Sequence, residues 1–144
     1  MNYVELRTHS PFSFGDGTAS PEALVSRAAE LGYGALGLTD TADVGGIIRF
    51  TLEAERVGIK PICGAELNVD GYPTAFLACD RTGYRNLAHL ITKSRVGVIN
   101  SWDPERPNPR KSGARGQNLQ KRYAVPLPER GRPNVTFQDL TEHS

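Results

Sequence analysis

The chain has 144 residues and carries 17 Lys and Arg against 16 Asp and Glu, for a formal net charge of +1 at pH 7. This length suits one domain with its own core, and the near balance of charge gives no whole-molecule argument for nucleic acid or membrane as a partner. The first residues show no signal-peptide pattern and no apolar run approaches the ~20 residues that cross a bilayer, so we expect a cytoplasmic protein with no membrane partner.

The first predicted elements are a strand and a helix joined by a glycine-rich loop. Alternation over residues 3–8 predicts the strand and places Arg7 and His9 on one face. The run Ser20-Pro21-Glu22 predicts a helix start, because serine can cap, proline fits the first turn and glutamate favours the positive end. Gly32 should end this helix. Its predicted buried stripe consists of Leu24, Ala28 and Leu31.

Strands and helices then alternate along the chain. Apolar runs predict strands at residues 35–39, 59–63 and 74–79, and helical periodicity predicts helices at 44–57 and 82–96. The predicted buried residues of these helices are Ile47, Ile48, Leu52 and Val57, followed by Tyr84, Leu87, Leu90 and Ile91. Strands that alternate with helices across short loops are typical of βα units, so we expect a largely parallel sheet.

Residues 100–134 break this pattern. They are rich in Pro, Gly, Arg and Lys without periodicity, and so long a run is unusual inside a compact domain, so we expect a flexible insertion or linker. Lys and Arg outnumber Asp and Glu here, but only Trp102 and Tyr123 could stack on bases, which makes a weak argument for nucleic-acid binding.

The remaining segments belong to one predicted domain. Residues 1–99 form its first part, and residues 135–144 begin a further helix that Thr136 could cap. About four strands are predicted, whereas an α/β barrel needs about eight βα units. The chain is therefore an open α/β sheet or the front part of a barrel.

The two cysteines lie in apolar, strand-like runs. Cys63 and Cys79 are too few for a disulfide framework, and we expect both to be small buried thiols. No glycine-rich fingerprint for nucleotide phosphates is present.

Ionisable or small polar residues lie at the ends of three of the predicted strands or in the loops that follow. These residues are Arg7, His9, Asp16, Asp40, Thr41 and Glu66. Because an α/β barrel places its active site at the carboxyl ends of its strands, their convergence indicates a shared site.

Each of these residues also has an ordinary structural interpretation. Asp16 precedes a glycine in a turn, Asp40 could be a helix N-cap, and His9 could be a structural histidine. Glu66 has the weakest structural explanation. Arg7 cannot bind a cation because it stays protonated, but it could replace a metal charge or pair with Asp16 or Glu66.

Four stretches of this sequence are familiar. HSPFSFGDG, SPEALVSRAAELGYGALGLTD, GIKPICGAEL and TGYRNLAHLITKS begin at residues 9, 20, 58 and 82. With them the chain resembles the PHP (polymerase and histidinol phosphatase) domain at the N-terminus of bacterial DNA polymerase III alpha subunits. The resemblance covers about residues 3–96 and 134–144 and leans toward the error-prone branch.

The resemblance implies a fold and a metal cluster. The expected fold is α/β, the N-terminal portion of a distorted (β/α)7 TIM-like barrel. In intact members a cluster of divalent metals at the strand ends hydrolyses phosphoesters, as a 3′–5′ exonuclease or a pyrophosphatase-type enzyme. Family positions imply His9, Asp16 and Glu66 as metal ligands, with Zn, Mn or Mg as the cofactor if the site is functional and none otherwise.

Three departures from the family pattern predict a degenerate site. Arg7 and Thr41 stand where the family has histidines, and Tyr72-Pro73 stands where many members place another one. Loss of several nitrogen ligands should greatly weaken transition-metal binding. The site residues that remain without a ligand role are Arg7, Asp40 and Thr41.

The resemblance implies a DNA-directed DNA polymerase as the parent protein, acting in replication or error-prone repair synthesis. This portion would then have a structural or docking role, with DNA as a partner through the parent and a proofreading or accessory replication subunit as a further partner. The alternatives are a phosphoesterase that uses the residual ligands, acting as an exonuclease or as a small-molecule phosphatase.

Overall fold

The computed structural model describes residues 3–99 and 134–141. Its helices and strands follow one another in the order α1 (Pro21–Glu30), β1 (Ala35–Leu38), α2 (Ile47–Val57), β2 (Lys60–Val69), β3 (Tyr72–Leu77), α3 (Arg81–Ile99), β4 (Asn134–Val135) and α4 (Phe137–Thr141). The predicted linker at 100–134 lies almost wholly outside the described residues. In the part that is described, no helix is long and apolar enough to cross a membrane.

The sheet is mixed: two of the three strand pairings among the described residues are parallel and one is antiparallel. Lys60 to Cys63 of β2 pair in parallel with β1, and Gly64 to Val69 then pair antiparallel with β3. β4 adds to the far end of β2 in parallel. The predicted strand at 59–63 is therefore too short, and Glu66 lies inside β2 instead of after it. Gly64 permits the close approach of β3, because a Cβ there would lie 2.4 Å from the carbonyl oxygen of Phe76.

The hairpin between β2 and β3 is the antiparallel exception in a sheet that was expected to be largely parallel. Asp70 and Gly71 form its turn with φ of 47° and 94°. Two consecutive residues with positive φ are what a tight type I′ hairpin needs, and Asp-Gly is a preferred sequence for it. That dipeptide was the sequence signal for an antiparallel pair.

The N-terminal segment runs beside β1 without forming a full strand. The Gly37 amide donates to Glu5 O at 2.7 Å and the Thr39 amide to Thr8 O at 2.9 Å. Its single β-bridge joins Glu5 to Leu36. The predicted strand at 3–8 is thus an extended edge segment, because it has a partner on one side only among the described residues. It nevertheless carries Arg7 and His9 toward the end of β1.

The capping signals of α1 are confirmed, whereas its predicted buried stripe is displaced. Ser20 Oγ accepts from the Ala23 amide at 3.2 Å, and the helix ends before Gly32. The buried residues are Pro21, Val25 and Ala28, while Leu31 is half exposed. The face that packs is set by α2 and the sheet, which a helical period alone cannot locate.

The buried face of α2 also differs from the prediction. Ile47, Phe50 and Ala54 are buried, whereas Ile48 and Leu52 are 72% and 63% exposed. The helix starts at Ile47, three residues later than predicted. Its buried residues lie on the same face as Phe50, which packs in the core. The end of the helix agrees with the prediction, although its start does not. Gly58, with φ of 79°, ends the helix as glycine usually does.

Two apolar clusters lie on the sheet. The first joins α1, α2 and β1 through residues that include Val25, Leu38 and Phe50. The second joins α3 to β2 and β4 through residues that include Leu67 and Leu90. α3 runs over Arg81–Ile99, with Leu87, Leu90 and Ile91 buried as predicted, whereas the predicted burial of Tyr84 is wrong. In α4 the expected cap is present, since Thr136 Oγ1 accepts from the Asp139 amide at 3.3 Å.

Candidate functional site

A buried carboxylate organises the loop that carries the first site residues. Asp40, 1% exposed, follows β1 and accepts from the Ser10 amide at 2.7 Å, from Ser10 Oγ at 2.6 Å and from Ser13 Oγ at 2.7 Å. Hydrogen bonds to an ionised acceptor are the strong ones, and all three donors are themselves buried. Asp40 therefore holds the loop behind the site. It does not cap α2, whose N-cap is Gly46.

The chain after Asp40 joins the middle of β2. The Glu66 amide donates to Asp40 O at 3.0 Å, the Ala42 amide donates to Glu66 O at 2.8 Å, and Thr41 forms a parallel bridge with Glu66. Ala42 has a φ of 48°, which is strained for a residue with a side chain. Arg95 of α3 donates from Nε to its carbonyl at 3.0 Å and so holds this turn.

Glu66 is the centre of a chain of ionisable side chains. Arg7 Nε donates to Glu66 Oε2 at 2.6 Å, and His9 Nε2 lies 3.5 Å from the same oxygen. On its other side, His9 Nδ1 contacts the Asp16 carboxylate. The hydrogen bond to Glu66 raises the pKa of Arg7 above its ordinary value, so the guanidinium stays charged. Three separate parts of the sequence thus meet in one network.

A cavity of about 280 Å³ opens beside this network. The residues that line it are Asp16, Thr41, Ala42, Glu66, Leu67, Asn68 and Pro73. Two polar atoms near it are buried and lack a hydrogen-bond partner, Asn68 Oδ1 and His9 Nε2. Asn68 was not predicted as a site residue. Its signal was its position two residues after Glu66, which places both side chains on one face of β2.

The implied metal cluster does not fit these residues as they are arranged. No group of three or more His, Cys, Asp or Glu side chains in residues 3–99 and 134–141 is placed to share an ion. The Arg7 guanidinium lies on the carboxylate that would bridge metals, and Asp16 occupies one ring nitrogen of His9. Thr41 offers a hydroxyl at its position, where imidazole would be the stronger ligand for Zn.

The predicted site residues take different positions in the structure. The structure brings His9, Asp16 and Glu66 together, and their role as ligands stays a prediction. Of the two carboxylates expected as partners of Arg7, Glu66 is the one it contacts. Thr41 lines the cavity, and Asp40 lies behind it.

The cysteines lie apart from this network. Cys63 is half-buried in β2, where burial raises its thiol pKa. Cys79 is exposed, so the expectation of a buried thiol is wrong there. The reason is that β3 is an edge strand that ends at Leu77, and Cys79 lies beyond it.

Comparison of the sequence with known proteins identifies the family of this chain. The PHP domain family matches residues 5–124. An error-prone DNA polymerase of Symbiobacterium thermophilum is 46% identical over 98 residues, which are 67% of this chain and 9% of that protein. An error-prone DNA polymerase of Rhodopirellula baltica is 30% identical over 145 aligned residues, which span 100% of this chain and 10% of that protein. The chain thus spans about a tenth of the length of these relatives.

A solved structure supports the fold. A metal-dependent phosphoesterase from Bifidobacterium adolescentis is 22% identical, with a TM-score of 0.53 over 67% of this chain and 35% of that one. The described residues therefore share part of the backbone arrangement of that protein. The match of the PHP domain family to residues 5–124 covers most of this chain and shows that the chain belongs to that family.

Proposed function

We propose that the chain is the PHP-domain portion of a DNA polymerase III alpha-type protein of the error-prone branch, and that its metal site is degenerate. The parent would synthesise DNA, and this portion would support the polymerase and dock a proofreading or accessory subunit. The similarity to error-prone DNA polymerases over 67% to 100% of the chain supports the parent's identity.

The contact between Arg7 and Glu66 is the observation that best supports the proposal of a degenerate metal site. A carboxylate that accepts from a guanidinium at 2.6 Å has its negative charge compensated without a metal. Arg7 is always protonated, so it cannot exchange this role for coordination. A cation approaching Glu66 would have to displace a like charge. In this chain Glu66 therefore has its charge balanced by Arg7 and needs no ion for that purpose.

A structural role agrees with how the site is built. The Asp40 carboxylate, the Arg95 guanidinium and the bridge at Glu66 tie the loop, α3 and β2 into one unit. These contacts fix the polypeptide on both sides of the cavity. Such a unit can present a constant surface to the rest of a large protein.

Elemental analysis of the purified chain tests the degenerate site. After expression with added Zn and Mn and extensive dialysis, we expect well below one tightly bound ion per molecule. His9→Ala should then leave the metal content unchanged. Stoichiometric metal that is lost in His9→Ala, and retained in the matched control His89→Ala, would overturn the proposal.

A metal-dependent phosphoesterase is the second candidate, and one observation favours it. His9 Nε2 is buried, has no hydrogen-bond partner and lies 3.5 Å from Glu66 Oε2. If Arg7 released Glu66 and Asp16 released the His9 ring, these three residues would offer one nitrogen and two carboxyl groups to an ion. Hydrolysis of bis(p-nitrophenyl) phosphate with added Mn, abolished in His9→Ala, would establish this function. We expect no hydrolysis above that of the variant.

A further inference from the structure

A second open groove runs along the first two turns of α3. Its volume is about 550 Å³, and its lining residues are Arg81, Thr82, Tyr84, Arg85 and Ala88. Positions three, four and seven apart share one face of a helix, so the two arginines and Tyr84 lie side by side on it. The groove shares no lining residue with the cavity at Glu66.

The arginines of this groove differ from the others in the described part of the chain. Each of the remaining described arginines donates to an acidic side chain, namely Arg7, Arg27, Arg49, Arg56 and Arg95. Within residues 3–99 and 134–141, Arg81 and Arg85 form no ion pair or hydrogen bond through their side chains. Two like charges one helical turn apart repel each other and disfavour the helix unless an anion compensates them.

The nearest carboxylate in sequence is already engaged. Asp80 Oδ1 accepts from the Gly83 amide at 2.8 Å and so caps the start of α3. The groove thus presents two guanidinium groups that form no ion pair among the described residues, and guanidinium binds phosphate oxygens in a bidentate manner. One turn of spacing lets the two groups reach neighbouring phosphates of one strand.

An aromatic side chain lies beside the two arginines in the lining of the groove. Tyr84 is 37% exposed, so part of its ring faces the groove. A positive groove with an aromatic platform is how proteins bind single-stranded nucleic acid, because every base can stack on the ring while the phosphates are neutralised. Duplex DNA would not offer its bases to Tyr84.

We propose that this groove binds single-stranded DNA, with Arg81 and Arg85 on neighbouring phosphates and Tyr84 against a base. The choice of DNA over another polyanion rests on the proposed function, whereas the groove itself does not. Loss of the groove's binding would leave the metal analysis unaffected, so the two proposals can fail separately.

Fluorescence anisotropy with a labelled single-stranded DNA of about twelve nucleotides tests this binding over a range of salt concentrations. Relative to the unmodified chain, Arg81→Gln with Arg85→Gln should lower the affinity about tenfold or more at low salt. The slope of log K against log salt should become shallower by about 1.4, since each phosphate contact to a single strand contributes about 0.7. Tyr84→Leu should weaken binding roughly fivefold or more, and Tyr84→Phe should not.

Two matched controls remove the same charge elsewhere. Arg27→Gln with Arg56→Gln changes arginines on α1 and α2, and Lys121→Gln with Arg122→Gln changes the basic stretch outside the described residues. Circular dichroism confirms that each variant is folded. An affinity loss in either control equal to that of the groove variant would overturn the proposal. Tighter binding to RNA than to DNA of the same sequence would overturn the choice of ligand.

Discussion

Arg7 Nε lies 2.6 Å from Glu66 Oε2, across 59 residues of sequence, and this contact joins the N-terminal segment to the middle of β2. The Glu66 side chain is 11% exposed, whereas that of Arg7 is 56% exposed. The carboxylate is therefore the buried member of the pair and depends on Arg7 for its charge balance.

Replacing Arg7 with alanine should lower the urea midpoint of unfolding, because Glu66 would keep a buried charge with only His9 beside it. Arg27→Ala is the matched control, since its pair with Glu30 is exposed on both sides, at 67% and 63%. Exposed pairs contribute little to stability, so the control midpoint should hardly change. Equal midpoints for the two variants would show that Glu66 does not need Arg7.

Restoring two histidines should create a metal site. Arg7→His with Thr41→His removes the guanidinium from Glu66 and adds two imidazole ligands, so Zn affinity by isothermal titration calorimetry should rise about tenfold or more. Adding His9→Ala to this variant should remove most of the gain. If the double variant binds Zn no better than the unmodified chain, these positions do not face a common point.

Asp40→Asn should lower the free energy of unfolding, because the side chain of Asp40 is buried and accepts three hydrogen bonds. The amide would keep one acceptor oxygen but would direct its NH2 group at the donors of Ser10 or Ser13, at a cost of about 1–3 kcal/mol in unfolding free energy. Glu30→Gln is the control on an exposed carboxylate. A loss no larger than that of the control in urea unfolding would mean that the loop is held by other contacts.

Gly37→Ala should detach the N-terminal segment. A Cβ at Gly37 would lie 2.5 Å from the carbonyl oxygen of Leu6, and so tight a contact costs about 1–3 kcal/mol. Gly34→Ala is the control, because nothing lies within 4 Å of its Cβ position. Hydrogen exchange at the backbone amide of position 37 should be faster in Gly37→Ala than in the unmodified chain. Unchanged stability and exchange would contradict this packing.

The contact of α3 with α4 should weaken in acid. A hydrogen bond from Lys93 lowers the pKa of Asp139 from 3.8 to about 2. Because the folded-state pKa is depressed, the stabilisation is present above the unfolded value and is lost as pH falls toward about 2. The difference in urea midpoint between the unmodified chain and Asp139→Asn should therefore be constant above about pH 5 and shrink between about pH 4 and 2. A difference independent of pH would contradict the ionic contact.

Local chemistry was enough to locate most elements of this fold. Ser20 caps α1, Gly58 ends α2 and Thr136 caps α4 because each acts on backbone groups within a few residues of itself. The site was also partly predictable, since family positions and strand ends indicated His9, Asp16 and Glu66 before their contacts were visible.

Contacts between distant parts of the chain determine the features of the fold and the site that the sequence did not predict. Three features depend on which segments approach one another. They are the faces that α1 and α2 bury, the position of β2 between β1 and β3, and the contact of Arg7 with Glu66 instead of Asp16. A periodic pattern states that one face is apolar, but the depth of each position depends on the neighbour packed against it. Residue identities thus specified which groups the site contains. The approach of the N-terminal segment to the middle of β2 decided that Arg7 pairs with Glu66.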